Sequence, residues 1–288
     1  MGRPTPLITR HPSPITRPLA WQAVAEAVTG QTLGRRFVYL QTTGSTSDVA
    51  RHLAEQGEPE GAAVFADEQT AGRGRAGKSR WLTPARTSIA LSLVLHPPLA
   101  PADLPVLSMM AGVAAVDAIR GTTGVAATLK WPNDVVAGGR KVGGNLVETA
   151  LATTGGPAVR YAVLGIGVNG NLPARALGPW PDAALAATTL QDEAGAPISR
   201  EALVVALLRE LEQCYTRVRR GDLASIRNRY CDLLDTLGRQ VRVLAGPAGP
   251  AVEGVAEAVA PDGALVVRLP SGVRRRFAYG EVSIRSGR

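Results

Sequence analysis

Lysine is nearly absent from this chain. Of its 32 basic residues, three are lysine (Lys78, Lys130 and Lys141) and 29 are arginine. Cysteine is almost as scarce. Cys214 and Cys231 are the only two, which excludes a disulfide framework and leaves two reduced, partly buried thiols as the expectation. The three histidines, His11, His52 and His96, have no ligand spacing and no evident partner, so neither a metal centre nor a Ser-His-Asp triad is supported. Aromatic residues make up 4%, too few for a surface that stacks on nucleic-acid bases. No apolar run reaches the roughly 18 residues of a membrane helix, and no charged-then-apolar secretory signal opens the chain. The expectation is a cytoplasmic protein with no membrane partner.

What is present suffices for a substantial core. The chain has 288 residues, of which 45% are hydrophobic, a length that suggests about two domains. The net charge of +8 invites a nucleic-acid reading. The arginines are scattered, however, and the densest run is the triplet Arg274-Arg275-Arg276. Anionic small substrates such as nucleoside triphosphates would use the same charge.

Residues 1–19 hold five prolines, three arginines and no acid, and read as a loose leader. The prolines break the amphipathic helix that a transit peptide would need. A short helix follows from Trp21 to Val28. Residues 36–237 mix strands (Phe37–Leu40, Ala62–Ala66, Ser88–Leu95, Ala127–Trp131, Val142–Ala150, Tyr161–Val168) with helices (Ser47–Gln56, Leu104–Arg120, Arg200–Arg219, Asp222–Leu237). Ser199 caps the helix at Arg200, and Gly238 stops the last one. Residues 238–288 carry short strands at Val241–Val243, Val252–Val259, Ala264–Leu269 and Val273–Ile284, divided by Gly-Pro, Pro-Asp-Gly and Ser-Gly turns. Three segments are expected: a leader with one short helix over 1–35, an α+β body over 36–237, and a small all-β unit over 238–288.

In a chain that writes positive charge as arginine, a retained lysine marks a place where a compact point charge serves better than a planar fork. All three lysines sit in motif-like segments. Gly72-Arg73-Gly74-Arg75-Ala76-Gly77-Lys78-Ser79 fits the phosphate-loop pattern letter for letter. Its context does not fit. A polar stretch separates it from the preceding strand, and Pro84 and a further strand follow where a helix is required. The physics of the loop survives: its glycines let backbone N–H groups approach a ligand, and Arg73 and Arg75 can clamp phosphate or carboxylate oxygens.

Lys130-Trp131-Pro132-Asn133-Asp134 ends a strand and breaks it at proline. Its Asn133 and Asp134 supply hard oxygens suited to a magnesium–phosphate environment. Lys141-Val142-Gly143-Gly144 opens another strand with room beside its backbone. Gly165-Ile166-Gly167-Val168-Asn169 closes a further one in the same manner. Four such strand ends bearing Lys, Arg and Asn point to one shared cleft.

In this order and spacing the segments resemble the biotin protein ligases. That family carries Gly-Arg-Gly-Arg-x-Gly-Arg followed by Trp, then Lys-Trp-Pro-Asn-Asp, Lys-x-x-Gly-Ile-Leu-x-Glu and Gly-x-Gly-x-Asn. The Ser45-Thr46 pair, Gln69 and the closing Gly280–Arg285 stretch resemble it too. The likeness spans about residues 37–286. It implies a class II synthetase-like mixed β-sheet flanked by helices, with a small C-terminal β-barrel. It also implies an ATP- and Mg2+-dependent ligase that forms biotinyl-5′-AMP and passes biotin to a lysine of a biotin carboxyl carrier domain, that of acetyl-CoA carboxylase or a related enzyme.

By the same resemblance, Lys130 and Arg75 are the catalytic cations. Biotin would meet Ser45, Thr46, Ser47, Gln69, Arg73, Gly74, Arg75, Lys130, Gly143 and Gly144. ATP would meet Arg73, Arg75, Lys78, Trp81, Asn133 and Asn169. Mg2+ would ride mainly on the phosphates, near Asn133 and Asp134. The sequence departs from the family at Lys78, at Asn145 in place of an apolar residue, and at Gly170 after Asn169. Only about 35 residues precede the catalytic region, so no winged-helix domain and no operator binding are expected. The alternative activity is a lipoate or octanoyl ligase or transferase of related fold.

Overall fold

A seven-stranded mixed sheet is the frame on which everything else is placed. The computed structural model describes residues 17–74, 81, 83–152, 159–177, 185–245, 251–278 and 282–286. The strands are β1 (Arg36–Thr43), β2 (Ala62–Gln69), β3 (Ile89–Leu95), β4 (Thr128–Lys130), β5 (Asp134–Ala137), β6 (Arg140–Leu151) and β7 (Val159–Val168). They lie in the order β1-β2-β3-β7-β6-β5-β4. Only β1 and β2 run parallel, because helix α2 (Thr46–Glu55) crosses between them. The remaining neighbours are antiparallel.

Alternation along the central strands divides the apolar side chains between two faces. Leu91, Leu93, Phe65, Leu164 and Ile166 enter the larger core. It is closed by α3 (Pro105–Thr123), α5 (Arg200–Arg219) and α6 (Leu223–Leu233). Val64, Val94 and Val163 face the other way and pack on Ala50 and Ala54 of α2. Helix α3 is apolar almost all round, as a buried helix must be. With the turn before it, Pro101–Thr123 is long and apolar enough to cross a membrane, but 72% of that apolar window is buried inside the protein. A proline in its first turn and left-handed Gly124 (φ 71°) delimit the helix.

Several outcomes differ from the sequence reading. Leu19, Val24, Val28 and Leu33 are buried in the larger core, so the described part of the leader, with α1 (Trp21–Ala27), is packed; residues 1–16 lie outside the described residues. Two elements carry no expectation from the sequence: strand β5 (Asp134–Ala137) and helix α4 (Leu190–Ala194). Helix α6 stops at Leu233 instead of Leu237. Leu234 leaves it to bridge Leu129 beside β4, and Asp235 N–H donates to the Leu129 carbonyl at 2.8 Å. Tertiary pairing there outweighs helix propensity.

The last difference is in the C-terminal unit. It contains β8 (Gln240–Ala245), β9 (Ala251–Val259), β10 (Leu265–Arg268), β11 (Arg274–Phe277) and β12 (Val282–Ser286). The expected single strand over Val273–Ile284 is therefore two. These lie at opposite edges of a five-stranded antiparallel sheet, β11-β10-β9-β8-β12. No ladder joins those edges among the described residues.

A buried ion pair pins α5 to the sheet. Arg200 and Asp67 expose 5% and 3% of their side chains, the Tyr39 hydroxyl donates to the same carboxylate, and Arg200 lies over the Phe65 ring at 5.5 Å. Removing one partner strands a buried charge. Asp67→Ala should therefore lower the unfolding free energy by about 3–5 kcal/mol, measured by denaturant titration. Burial, with help from Asp67, pushes the Tyr39 phenol from 10.0 up to about 12. A raised folded-state value means this stabilisation is complete below the unfolded phenol's pKa and is lost as pH rises through the folded one. Unfolding midpoints followed from about pH 9 to about pH 12 should fall, and fall less in Tyr39→Phe.

Candidate active site

The hydrogen-bond register lines up one row of residues across five strands. Ala90 stands opposite Gly167, Gly167 opposite Gly144, Gly144 opposite Asp134, and Asp134 opposite Lys130. Residues directly opposite share a face. In the adjacent row Ser92 opposes Gly165, and this is the face on which α2 packs. A Cβ on Gly165 would lie 2.8 Å from Ser47 Oγ, and one on Gly167 would lie 2.5 Å from the Trp81 ring. Glycine is therefore what lets α2 and Trp81 come down onto the sheet. Lys130 stands three strand spacings from Gly167, about 14 Å away along the row. The row thus joins the Lys130 strand end, the Gly144 strand and the Gly167 strand into one shelf. Gly143 points to the opposite face, where its Cβ would meet the Gly167 carbonyl at 2.8 Å; only its backbone can face a ligand.

At one end of the shelf the polar groups form a chain. Gln69 Oε1 accepts from Thr46 N–H at 2.9 Å and from Thr46 Oγ1 at 3.1 Å. Gln69 Nε2 donates to Thr83 Oγ1 at 3.3 Å. Thr46 Oγ1 and Ser92 Oγ are 2.8 Å apart, and Ser92 Oγ and Ser47 Oγ 3.1 Å. Each hydroxyl has one proton. If Thr46 donates to Gln69, then Ser92 donates to Thr46 and Ser47 to Ser92. The Ser47 oxygen is left as an acceptor. Ser45 is buried and begins α2 in extended conformation, without a side-chain cap bond.

The glycine-rich loop leaves from the same place. Thr70 N–H and Ala71 N–H donate to the Thr43 and Gly44 carbonyls, and Trp81 N–H closes the loop on the Gly72 carbonyl at 2.9 Å. Arg73 reaches Asp48 Oδ2 at 2.6 Å and Glu148 Oε2 at 3.2 Å. Arg51 pairs with Asp48 as well. The Arg73 guanidinium holds the Asp48 carboxyl below the usual carboxylate range, and Asp48 in turn raises Arg73. Gly74 ends this described stretch. Arg75 and Lys78, two of the expected contacts, lie outside the described residues.

Farther along the shelf, Lys141 Nζ pairs with Asp134 Oδ1 at 2.5 Å and sits 5.8 Å from the Trp81 ring centroid. The 186–188 segment clips onto Lys141: its main-chain N–H donates to the Ala186 carbonyl and its carbonyl accepts from Thr188 N–H, both at 2.8 Å. Asn169 is buried and donates to the Thr188 carbonyl at 2.9 Å, so its amide braces that clip. Asn133 Nδ2 donates to the Asn145 carbonyl at 2.6 Å. Lys130 is 8% exposed and lines a cavity with Val136, Leu185, Asp235, Thr236 and Arg239. Among the described residues no cluster of three or more His, Cys, Asp or Glu could cage a metal. Asp134 is engaged by Lys141, so this donor set suits a cation that arrives already on phosphate oxygens.

Both describable departures from the family pattern have local reasons. Asn145 points away from the shelf and makes a reciprocal pair with Ser108 of α3, Ser108 Oγ donating at 2.5 Å and Asn145 Nδ2 returning at 3.2 Å. A Cβ on Gly170 would lie 2.4 Å from the Thr87 carbonyl, which already accepts from Asn171 N–H. The sequence reading missed Ser92, Asp48, Glu148, Thr83 and the Asp134–Lys141 pair. A lone serine inside Ile89-Ala90-Leu91-Ser92-Leu93-Val94 was the visible signal for the first.

Comparison with known proteins places the chain in a family. Residues 39–169 match the Biotin/lipoate A/B protein ligase family, and residues 236–285 match the Biotin protein ligase C terminal domain. The biotin–[acetyl-CoA-carboxylase] ligase of Paracoccus denitrificans is 35% identical over 237 residues, 81% of this chain and 94% of that one. Its counterpart from Mycobacterium tuberculosis is 33% identical over 261 residues, 86% and 89% of the two chains. The biotin protein ligase of Aquifex aeolicus, solved with biotin and ATP, superposes with a TM-score of 0.71 at 24% identity, covering 88% of this chain and all of that one. The shelf, the clasped loop and these relatives together establish that the chain belongs to the biotin protein ligase family.

Proposed function

We propose that this chain joins biotin to ATP on the glycine shelf and then passes biotin to a lysine of a carrier domain. The observation that carries the reading is the single row from Gly167 through Gly144 and Asp134 to Lys130, which sets a lysine, a strand-end carboxylate and a glycine backbone free of side chains on one face. In the first step a carboxylate oxygen of biotin attacks the α-phosphorus of ATP, and the bond to pyrophosphate breaks. In the second the carrier's lysine amine attacks the acyl carbon, AMP leaves and the amine loses a proton. The carrier is a biotin carboxyl carrier domain of acetyl-CoA carboxylase or a related carboxylase.

Two anions must meet in the first step, so repulsion has to be cancelled before in-line attack. Lys130, with Arg75 from the loop, supplies that charge. Ser47 offers its acceptor oxygen to a ureido N–H, Thr46 and Gln69 hold the hydroxyl chain in register, and Ser45 lies beside them. Arg73 is already neutralised by Asp48 and Glu148; its part is to fasten the loop, with Gly74, over biotin. Trp81 gives the adenine a stacking surface above Gly167, while Asn133 and Asn169 brace the backbone around it. The phosphates are assigned to Lys78 on its place in the glycine-rich motif. Mg2+ accompanies the triphosphate and offsets its charge.

The decisive experiment mixes the protein with biotin, MgATP and a biotin carrier domain and weighs the carrier, with octanoate and lipoate as competing acids. An unchanged carrier mass, or a preference for either competitor, rejects the reading. Lys130→Ala should fold normally yet lower biotin-dependent ATP–pyrophosphate exchange by about 100-fold or more. Gly167→Ala should displace Trp81 and raise the KM for ATP by about tenfold, with the KM for biotin nearly unchanged, as read from substrate titrations of the same exchange.

A further inference from the structure

Lys130 is held on little secondary structure for a residue with so much to do. It is the last residue of a three-residue strand at the edge of the sheet. On one side β5 holds it. On the other, the residues that flank it are held by the chain leading into the C-terminal sheet. The Leu129 carbonyl accepts from Asp235 N–H at 2.8 Å, and Trp131 N–H donates to Thr236 Oγ1 at 3.0 Å. The Trp131 side chain is 1% exposed, and its indole Nε1 donates to the Gly263 carbonyl at 3.0 Å. Gly263 lies in the β9–β10 turn with φ +83°, and a Cβ there would come within 2.9 Å of Pro105 at the start of α3. The Tyr230 hydroxyl donates to the Pro132 carbonyl at 2.9 Å. The 234–236 segment is anchored in turn: Gly238 N–H donates to the Ala256 carbonyl and Ala256 N–H to the Arg239 carbonyl.

We propose that the C-terminal sheet is the positioning device for Lys130, acting through Trp131 and Thr236. The inference rests on the ligase reading and on the part given there to Lys130. Trp131 and Thr236 touch no substrate and are positioning residues. The β9–β10 turn accepts from the indole and the Thr236 hydroxyl accepts from the Trp131 peptide N–H, so the ammonium of Lys130 is aimed by hydrogen bonds to that turn and to the segment leading into β8. A misplacement of about 1 Å in such a group can cost on the order of 10²-fold in rate. The unit is thereby part of the adenylation machinery rather than an appendage to it.

The test uses the full chain and biotin-dependent ATP–pyrophosphate exchange. Thr236→Val keeps the shape and removes the hydroxyl; Trp131→Phe removes the N–H together with part of the buried ring. Each should lower kcat by about tenfold while leaving the KM for biotin within about twofold, with a native circular-dichroism spectrum; Thr236→Ser should restore kcat. In a Lys130→Ala background, Trp131→Phe should lower the residual rate by less than about twofold, because the group it aims is gone. Unchanged kcat in the folded variants overturns the proposal, and so does a loss that persists undiminished without Lys130. Should Trp131→Phe fail to fold, the Thr236 series decides alone by the same criteria. A wild-type chain inactive in exchange would overturn the ligase reading itself, whereas an active wild type with indifferent variants overturns only this inference.

Discussion

One face of the central ladder has been kept bare. Gly144, Gly165 and Gly167 sit on adjoining strands in two neighbouring rows, and any side chain on the last two would collide with Ser47 or Trp81. The main chain is therefore the floor of the site, and α2 and the glycine-rich loop can lie close above it. The opposite face carries Leu91, Leu93, Leu164 and Ile166 into the larger core. Burial of that face holds the ladder in register, because a slip of one residue would turn the apolar set toward the ligand side. The site is bare because the other face is full.

Most charged groups on the shelf already have partners. Arg73 has Asp48 and Glu148, Lys141 has Asp134, and a chain of three hydroxyls ends on Gln69. Such pairing fixes the groups in place before a ligand arrives, so little reorganisation is needed at the moment of reaction. It also divides the labour among cations. An arginine held by two carboxylates serves as a fastener. A lysine placed in a cavity at the sheet edge is better suited to meet an incoming anion.

The Lys130–Asp134 segment shows how much, and how little, of the site was legible beforehand. Its lysine, its proline break and its carboxylate could be read from the sequence, and register places Lys130 and Asp134 opposite one another. The role of its tryptophan could not be read. Trp131 turns inward and donates its indole N–H to the Gly263 carbonyl, 132 residues further along. Likewise Ser92 is unremarkable in an apolar strand until α2 brings Thr46 and Ser47 to it. Asp48 and Glu148 are ordinary surface acids until Arg73 comes between them. The end of α6 was misjudged because the pull of β4 on Leu234 and Asp235 leaves no trace in helical periodicity.

Period-two and period-3.6 patterns are local, and so the strands, the long helices and the position of each glycine-broken strand end could be read from the chain alone. The chemical character of the cleft was local in the same sense, since it depends on which residue types stand at those ends. Which ends face one another was a matter of register and of which face is buried. Those follow from non-local hydrogen bonding and from the exclusion of water between layers, and no stretch of sequence contains them by itself. The tertiary structure alone decided that Arg73 is fastened by two acids, that β11 and β12 take opposite edges of the C-terminal sheet, and that a turn of this sheet reaches back to hold Trp131 beside Lys130.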